Sequence, residues 1–212
     1  MEILRDLSDS MQKGNAARVA ELTRKAIDEH LDTNTILNQG LISGMSAVGE
    51  KFKRHEIFIP SVLLAAKAMN AGMELLKPLL ARDGIQTIGK VVIGTVQGDL
   101  HDIGKNLVAI MVRGAGFEVI DLGNNVSPER FIETAERERA DVVGLSALLT
   151  TTMPVMKSVV DLARERNLYG RTKIIVGGAP LSAEYAMEIG AHAYGFDAVS
   201  AVDLVKQFMG RK

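Results

Sequence analysis

Lys90-Val91-Val92-Ile93-Gly94-Thr95-Val96-Gln97-Gly98-Asp99-Leu100-His101-Asp102-Ile103-Gly104-Lys105-Asn106 is the stretch where the rhythm of this 212-residue sequence changes. It opens on a β-rich run and passes into a glycine-flanked polar loop. It then continues at helical spacing from Ile103. Strand, loop, helix is the unit of a parallel α/β sheet, and the same rhythm repeats to the end of the chain. Strands are expected over 91–95, 117–121, 142–146, 174–177 and 193–195. Helices are expected over 103–113, 128–139, 153–167, 183–189 and 198–209. Five such units fit a flavodoxin-like, Rossmann-type sheet flanked by helices. In that fold ligands sit at the carboxyl ends of the strands, near the switch in strand order.

Working back from Lys90, residues 81–89 break the pattern and read as a linker. Before them every periodic segment is helical. Leu4, Leu7 and Met11 mark a first helix, and Asn15 is placed to cap a second carrying Val19, Leu22, Ala26 and Ile27. Thr33 or Asn34 could cap a third, with Ile36, Leu37, Leu41, Met45, Val48 and Phe52 on one side. Pro60 suits the first turn of a fourth. The expectation is a four-helix bundle over 1–84 followed by an α/β domain over 85–212.

Composition excludes several classes. There is no cysteine, which removes disulfides, thiolate metal sites and a cysteine nucleophile. Residues 1–88 carry 11 basic and 11 acidic side chains, leaving 14 and 15 of the totals of 25 and 26 for the rest. Neither part has the basic excess of a nucleic-acid or anionic-membrane binder. Residues 1–13 lack the apolar core of a signal peptide, and no apolar run reaches a membrane span. A cytoplasmic protein without nucleic-acid or membrane partners is expected.

The chemistry concentrates after the first strand. His101 lies in a loop between glycines, with acids on both sides. Neutral imidazole is a good transition-metal ligand, and a carboxylate on its other ring nitrogen fixes the tautomer and raises its basicity. Asp99, two residues back, is placed for that. Gly104 would let the chain turn into the next helix without a Cβ clash. A lone loop histidine is more often only a surface residue, and glycine-rich loops after a first strand more often bind phosphate. Neither the dinucleotide-binding spacing nor a Walker lysine is present, however. His30, His55 and His192 are isolated from any comparable cluster. One histidine would hold zinc poorly, whereas a macrocycle bringing four ligands of its own needs only one.

Asp99-x-His101-x-x-Gly104 is followed after 41 residues by Ser146-x-Leu148, and after 28 more by Gly177-Gly178. This three-part pattern resembles the signature of cobalamin-binding domains that hold the cofactor base-off and His-on. The helical part before it is similar to the cap of cobalamin-dependent methionine synthase. It is also similar to the cap of the small corrinoid proteins of methanol, methylamine and methoxyaryl methyltransferase systems.

The resemblance implies a carrier without catalysis of its own, in which cobalt cycles between Co(I) and methyl-Co(III). A substrate-specific methyltransferase would load the methyl group. A second, acting on tetrahydrofolate or coenzyme M, would remove it, and a reductive activase is a further partner. His101 would be the lower axial cobalt ligand, Asp99 its hydrogen-bond partner, and Thr152 would stand where methionine synthase has a serine. Ser146 and Leu148 would contact the displaced nucleotide tail, with Thr150 adding a hydroxyl to that pocket. Gly177 and Gly178 would line its channel. Phe58 would shield the upper face of the corrin, and residues 81–89 would serve as the hinge.

Each of these residues also has a plainer reading. Thr151 or Thr152 would cap a helix, the paired glycines would form a tight turn, and Phe58 would be bundle core. Three other functions are weighed. A cobalamin-dependent sensor or regulator shares the domains but usually adds a DNA-binding region, and this chain has no tryptophan to contact an adenosyl group. A mutase would need a catalytic barrel. A response-regulator receiver would need an aspartate at the end of the third strand, where Ser146 stands.

Overall fold

The computed structural model describes residues 2–85 and 88–210. Met1, Arg211, Lys212 and two residues of the expected linker, Gln86 and Thr87, lie outside the described residues. The chain divides into two compact units, one of residues Met1–Thr87 with Gly114–Gly116, the other of Ile88–Arg113 with Phe117–Lys212.

The first unit is helical. Helix α1 (Glu2–Gln12) buries Leu4, Leu7 and Met11, the spacing that predicted it. Helix α2 (Ala16–Asp28) is capped by Asn15, whose side chain accepts from the Arg18 N–H at 3.1 Å. The third helix differs from expectation. Its N-cap is Asp32, which accepts from the Thr35 N–H at 2.8 Å and spares Thr33 and Asn34 that role. It starts as α3 (Thr33–Thr35), widens into a π-helical stretch (Ile36–Ile42) and returns to α-helix as α4 (Ser43–Lys53). A Cβ on Gly40 would meet Leu7 Cδ2 at 2.5 Å, and one on Gly44 would meet Met11 Cβ at 2.6 Å. Both glycines let α1 seat directly on this helix. Leu7 and Met11 are fully buried there, and truncating such a residue to alanine costs about 2–5 kcal/mol. Helix α5 (Ile59–Arg82) has Pro60 in its first turn and takes in Ala81 and Arg82, so the expected linker begins later than the sequence suggests.

The second unit is a five-stranded parallel sheet in the order β2-β1-β3-β4-β5. The strands are β1 (Lys90–Thr95), β2 (Glu118–Asp121), β3 (Val142–Ser146), β4 (Lys173–Gly177) and β5 (Ala193–Gly195). The central strands are continuous aliphatic runs because helices cover both faces. Val92, Val143, Leu145, Ile174 and Val176 belong to a core with Phe131, Met156 and Val160 from the flanking helices. Those helices are α6 (Ile103–Gly114), α7 (Pro128–Glu138), α8 (Met153–Glu165), α9 (Ala183–Glu188) and α10 (Ala198–Phe208). Helices α7 and α8 stop one or two residues short of the predicted ends. Arg139 and Asn167 turn left-handed there, at φ +54° and +56°, which ends a helix. Among the described residues no helix is long and apolar enough to cross a membrane.

Candidate cofactor site

The strand order reverses between β1 and β3, and the loops leaving these two strands meet at their carboxyl ends. Ser146 pairs with Thr95 in the register, and its carbonyl accepts the N–H of Val96 at 3.0 Å. The site grows from this junction. Asp99 is fully buried between the two loops. Its Oδ1 accepts from the backbone N–H of His101 (3.0 Å) and stands 2.7 Å from His101 Nδ1. Its Oδ2 accepts from the N–H groups of Leu148 (2.7 Å) and Leu149 (3.1 Å) and from the Thr152 hydroxyl (3.1 Å). Burial disfavours the charge, but these donors outweigh it and hold the Asp99 carboxyl well below the usual carboxylate range.

A carboxylate at Asp99 assigns the proton of neutral His101 to Nδ1, since Oδ1 can only accept. Nε2 then carries the lone pair. The His101 side chain is 53% exposed, so that nitrogen can be offered outward while Asp99 fixes the ring from below. Among the described residues no group of three or more histidine, cysteine, aspartate or glutamate side chains could hold a metal ion. The site therefore presents one oriented imidazole. Its flanks are apolar and exposed: Leu100, Ile103, Leu148 and Leu149.

The predicted residues fall into three sets. Asp99, His101 and Thr152 form one network. Thr152 is the N-cap of α8 but makes no side-chain capping bond, turning instead to Asp99 and the Leu149 carbonyl. Its methyl would lie 3.3 Å from a Cβ at Gly98, so that glycine, at φ +85°, makes room for threonine where a serine would need less. Leu148 joins the network through its backbone N–H, a role its side chain does not suggest. Ser146, half-buried, ends β3, and Thr150, exposed, lies in the loop that follows.

A second set has explanations inside or outside the chain that the sequence did not separate. Gly178, at φ +140°, would place a Cβ 1.8 Å from the Ala147 carbonyl oxygen, and Gly177 would place one 3.1 Å from that of Gly195. Close approach of the chain's own backbone requires glycine at 178 and makes position 177 a tight fit. Gly104 corrects the expected reason for glycine. It sits in the first turn of α6 without a left-handed φ, and a Cβ there meets nothing within 4 Å. The fold does not need glycine at 104. Phe58 forms the third set. It belongs to the helical unit, at the N-cap of α5, and is 70% exposed, so it is not bundle core. Ile59, Leu63 and Leu64 beside it are exposed as well.

Four side chains escaped the sequence reading. The Thr95 hydroxyl donates to the His101 carbonyl at 2.9 Å. Lys105, 3% exposed, places Nζ 2.7 Å from both carboxylate oxygens of Asp121 and ties α6 to the end of β2. Asn124 and Asn125, just after β2, bond the backbone around Asp99. Lys105 in the first turn of α6, ahead of the apolar run 107–112, was the one legible signal, since a charge buried there requires a partner.

A parallel sheet with this strand order, presenting a single oriented imidazole at the switch point and preceded by a helical unit, defines a cofactor-binding module. Comparison with known proteins identifies which one. A B12 binding domain model matches residues 89–203, and a second model, also described as a B12 binding domain, matches residues 3–77. A corrinoid protein of Desulfitobacterium hafniense (strain Y51) is 41% identical over 214 residues, covering 100% of this chain and 99% of the relative. The dimethylamine corrinoid protein of Methanosarcina barkeri is 41% identical over 209 residues, covering 98% of each. A chain in the crystal structure of the methanol:cobalamin methyltransferase complex from Methanosarcina barkeri superposes with a TM-score of 0.89 at 28% identity. That match covers 100% of this chain and 81% of the other. The chain belongs to the B12-binding corrinoid protein family.

Proposed function

We propose that this protein is the methyl carrier of a corrinoid-dependent methyltransferase system, holding cobalamin or a related corrinoid base-off with His101 as the lower axial ligand. The observation that carries the reading is the buried carboxylate of Asp99 at 2.7 Å from His101 Nδ1, which leaves Nε2 as the outward lone pair. The surroundings fit a large, flat, mostly apolar group. The imidazole is flanked by exposed Leu100, Ile103, Leu148 and Leu149, and Gly104 beside it leaves open space that nothing in the chain fills.

The bound corrinoid supplies reversible methyl transfer at cobalt. The chain's residues set its conditions. Asp99 keeps the proton at Nδ1 of His101 and limits rotation of the ring. Thr152, Leu148 and Leu149 keep Asp99 ionised. Ser146, Leu148 and Thr150 line the path of the displaced nucleotide tail, and Gly177 and Gly178 hold the neighbouring strand ends together. Phe58, exposed at the N-cap of α5, is the residue that would supply an apolar cover for the corrin, as the family resemblance implies. In this reading residues 1–84 would be the helical cap domain and residues 85–212 the corrinoid-binding domain. Partners are a donor-specific methyltransferase, a second methyltransferase acting on tetrahydrofolate or coenzyme M, and a reductive activase, all in the cytoplasm. The methanol and dimethylamine proteins named above favour simple one-carbon donors of that type.

The test is reconstitution with hydroxocobalamin, read by visible absorption, for the wild-type chain beside His101→Ala. A stoichiometric corrinoid spectrum with histidine ligation, altered in the variant, is the expected result. Folded wild-type protein that retains no corrinoid, or a variant spectrum identical to wild type, would overturn the assignment.

A further inference from the structure

The loop that carries His101 is gripped by the two residues that precede Val126. The side-chain oxygen of Asn125 accepts from the N–H of Gly98 at 2.8 Å. The backbone N–H of Asn125 donates to the carbonyl of Asp99 at 3.0 Å. Asn124 Nδ2 donates to the carbonyl of Leu100 at 3.3 Å. Three successive residues before the histidine are thus held by two successive residues of another loop.

This strap is anchored at both ends. On one side the Asp121 carboxylate takes Lys105 Nζ on both oxygens and the Gly123 N–H at 2.9 Å. On the other, the N–H of Val126 donates to the Thr95 carbonyl, and the N–H of Thr95 to that of Gly123, each at 3.0 Å. Asn125 stands at φ +52°, a left-handed conformation that asparagine tolerates better than most residues. Bonding the N–H of residue 98 and the carbonyl of residue 99 fixes the two backbone joints that aim the Asp99 side chain. That side chain in turn aims His101.

We propose that Asn125 is a positioning residue for the axial histidine, acting through the Gly98–Asp99 backbone. The inference rests on the assignment of His101 as the cobalt ligand. Two substitutions isolate it. Asn125→Gly keeps the left-handed backbone and its N–H bond to Asp99 but deletes the oxygen that holds Gly98. Asn125→Asp keeps that oxygen.

Full-length wild type, both variants and His101→Ala are loaded with hydroxocobalamin. Visible absorption gives the ratio of histidine-ligated to unligated corrinoid, and circular dichroism gives the thermal midpoint. Asn125→Gly should lower that ratio about twofold to tenfold, the worth of one net hydrogen bond, and Asn125→Asp should restore it. A wild-type ratio in Asn125→Gly overturns the proposal. So does an equal fall in both variants, which would mean that the oxygen bonded to the Gly98 N–H is not what positions the histidine. If wild type and His101→Ala give the same spectrum, the axial assignment fails first and takes this inference with it.

Discussion

The helical unit and the sheet unit use buried polar atoms in opposite ways. In the helical unit the Thr23 hydroxyl is buried without a hydrogen-bond partner, next to Gly72 and Leu41, and the buried Thr33 hydroxyl has a single bond, to Asp83 at 2.7 Å. In the sheet unit a full carboxylate is buried at Asp99 and five hydrogen-bonding contacts converge on its two oxygens. An unpartnered hydroxyl costs a core one or two kcal/mol in order of magnitude, whereas an unpartnered charge would cost several. The contrast teaches where position was worth more than stability. Aliphatic packing leaves a side chain some freedom, but a carboxylate bonded on every side has one place to be, and so does the ring it holds.

The largest expected effect lies with the glycines of the two units. Gly178→Ala drives a Cβ into the Ala147 carbonyl oxygen, backbone against backbone, from a φ that alanine resists. Gly44→Ala crowds α1 at Met11 Cβ (2.6 Å) and the Ser8 carbonyl oxygen (2.9 Å), a milder overlap that a small shift of the whole helix relieves. Gly178→Ala should therefore cost more than about 3 kcal/mol and Gly44→Ala about 1–3 kcal/mol. Urea unfolding of both variants measures the gap. Equal losses would mean that the strand ends yield as readily as helix packing.

Asp99→Asn comes next, at about 2–4 kcal/mol. An amide can accept on one oxygen only, so its NH2 must face either His101 or the N–H groups of Leu148 and Leu149. If the NH2 turns to His101, it forces the ring proton onto Nε2 and removes the lone pair offered to cobalt. Urea unfolding reads the first effect, and the corrinoid spectrum reads the second. A variant with wild-type stability and spectrum would show that the buried charge does not organise the site.

The same contrast explains what could be read from the sequence. Periodicity exposed the strands because a sheet covered on both faces writes itself as aliphatic runs. His101 and Asp99 stood out because two residues of separation is short enough to imply contact. Thr152 needed the family resemblance, since 53 residues separate it from Asp99. Lys105 and Asp121, 16 apart, and Asn125 and Gly98, 27 apart, are joined only by the sheet register. The π-helical stretch of residues 36–42 left no trace, because its buried Ile36, Gly40 and Leu41 fit an ordinary helical stripe. Gly104 was legible as a required glycine, but for a reason the structure removes.

A smaller effect is expected at the sheet edge. His192 Nδ1 accepts from the Ile174 N–H at 3.0 Å, and its ring stacks 4.3 Å from that of Tyr169. Burial, with Lys173 and Arg164 nearby, lowers its pKa below the ordinary 6.5. Between that lowered value and about 6.5 the unfolded chain binds more protons than the folded one. This contribution to stability is complete above pH 6.5 and fades as pH falls toward the folded value. Urea midpoints at pH 7.5 and 5.0 should separate more in wild type than in His192→Asn, which keeps an acceptor but does not titrate. Equal separations would exclude His192 as a source of acid sensitivity.

The smallest expected change in stability is at Gly104, and its sign sharpens the comparison most. Alanine in the first turn of α6 meets no atom of the described residues within 4 Å and loses less backbone entropy on folding than glycine. Gly104→Ala should therefore stabilise the corrinoid-free protein by about 0.5 kcal/mol. The same methyl would occupy the open space beside His101, where the macrocycle is proposed to lie. Corrinoid retention, read as the fraction of hydroxocobalamin still bound after gel filtration, should fall while urea stability rises. A variant that gains in both would place the corrin elsewhere than over Gly104. One that loses in both would mean that the glycine serves the fold after all. Only opposite signs fit a residue kept small for something the chain does not itself contain.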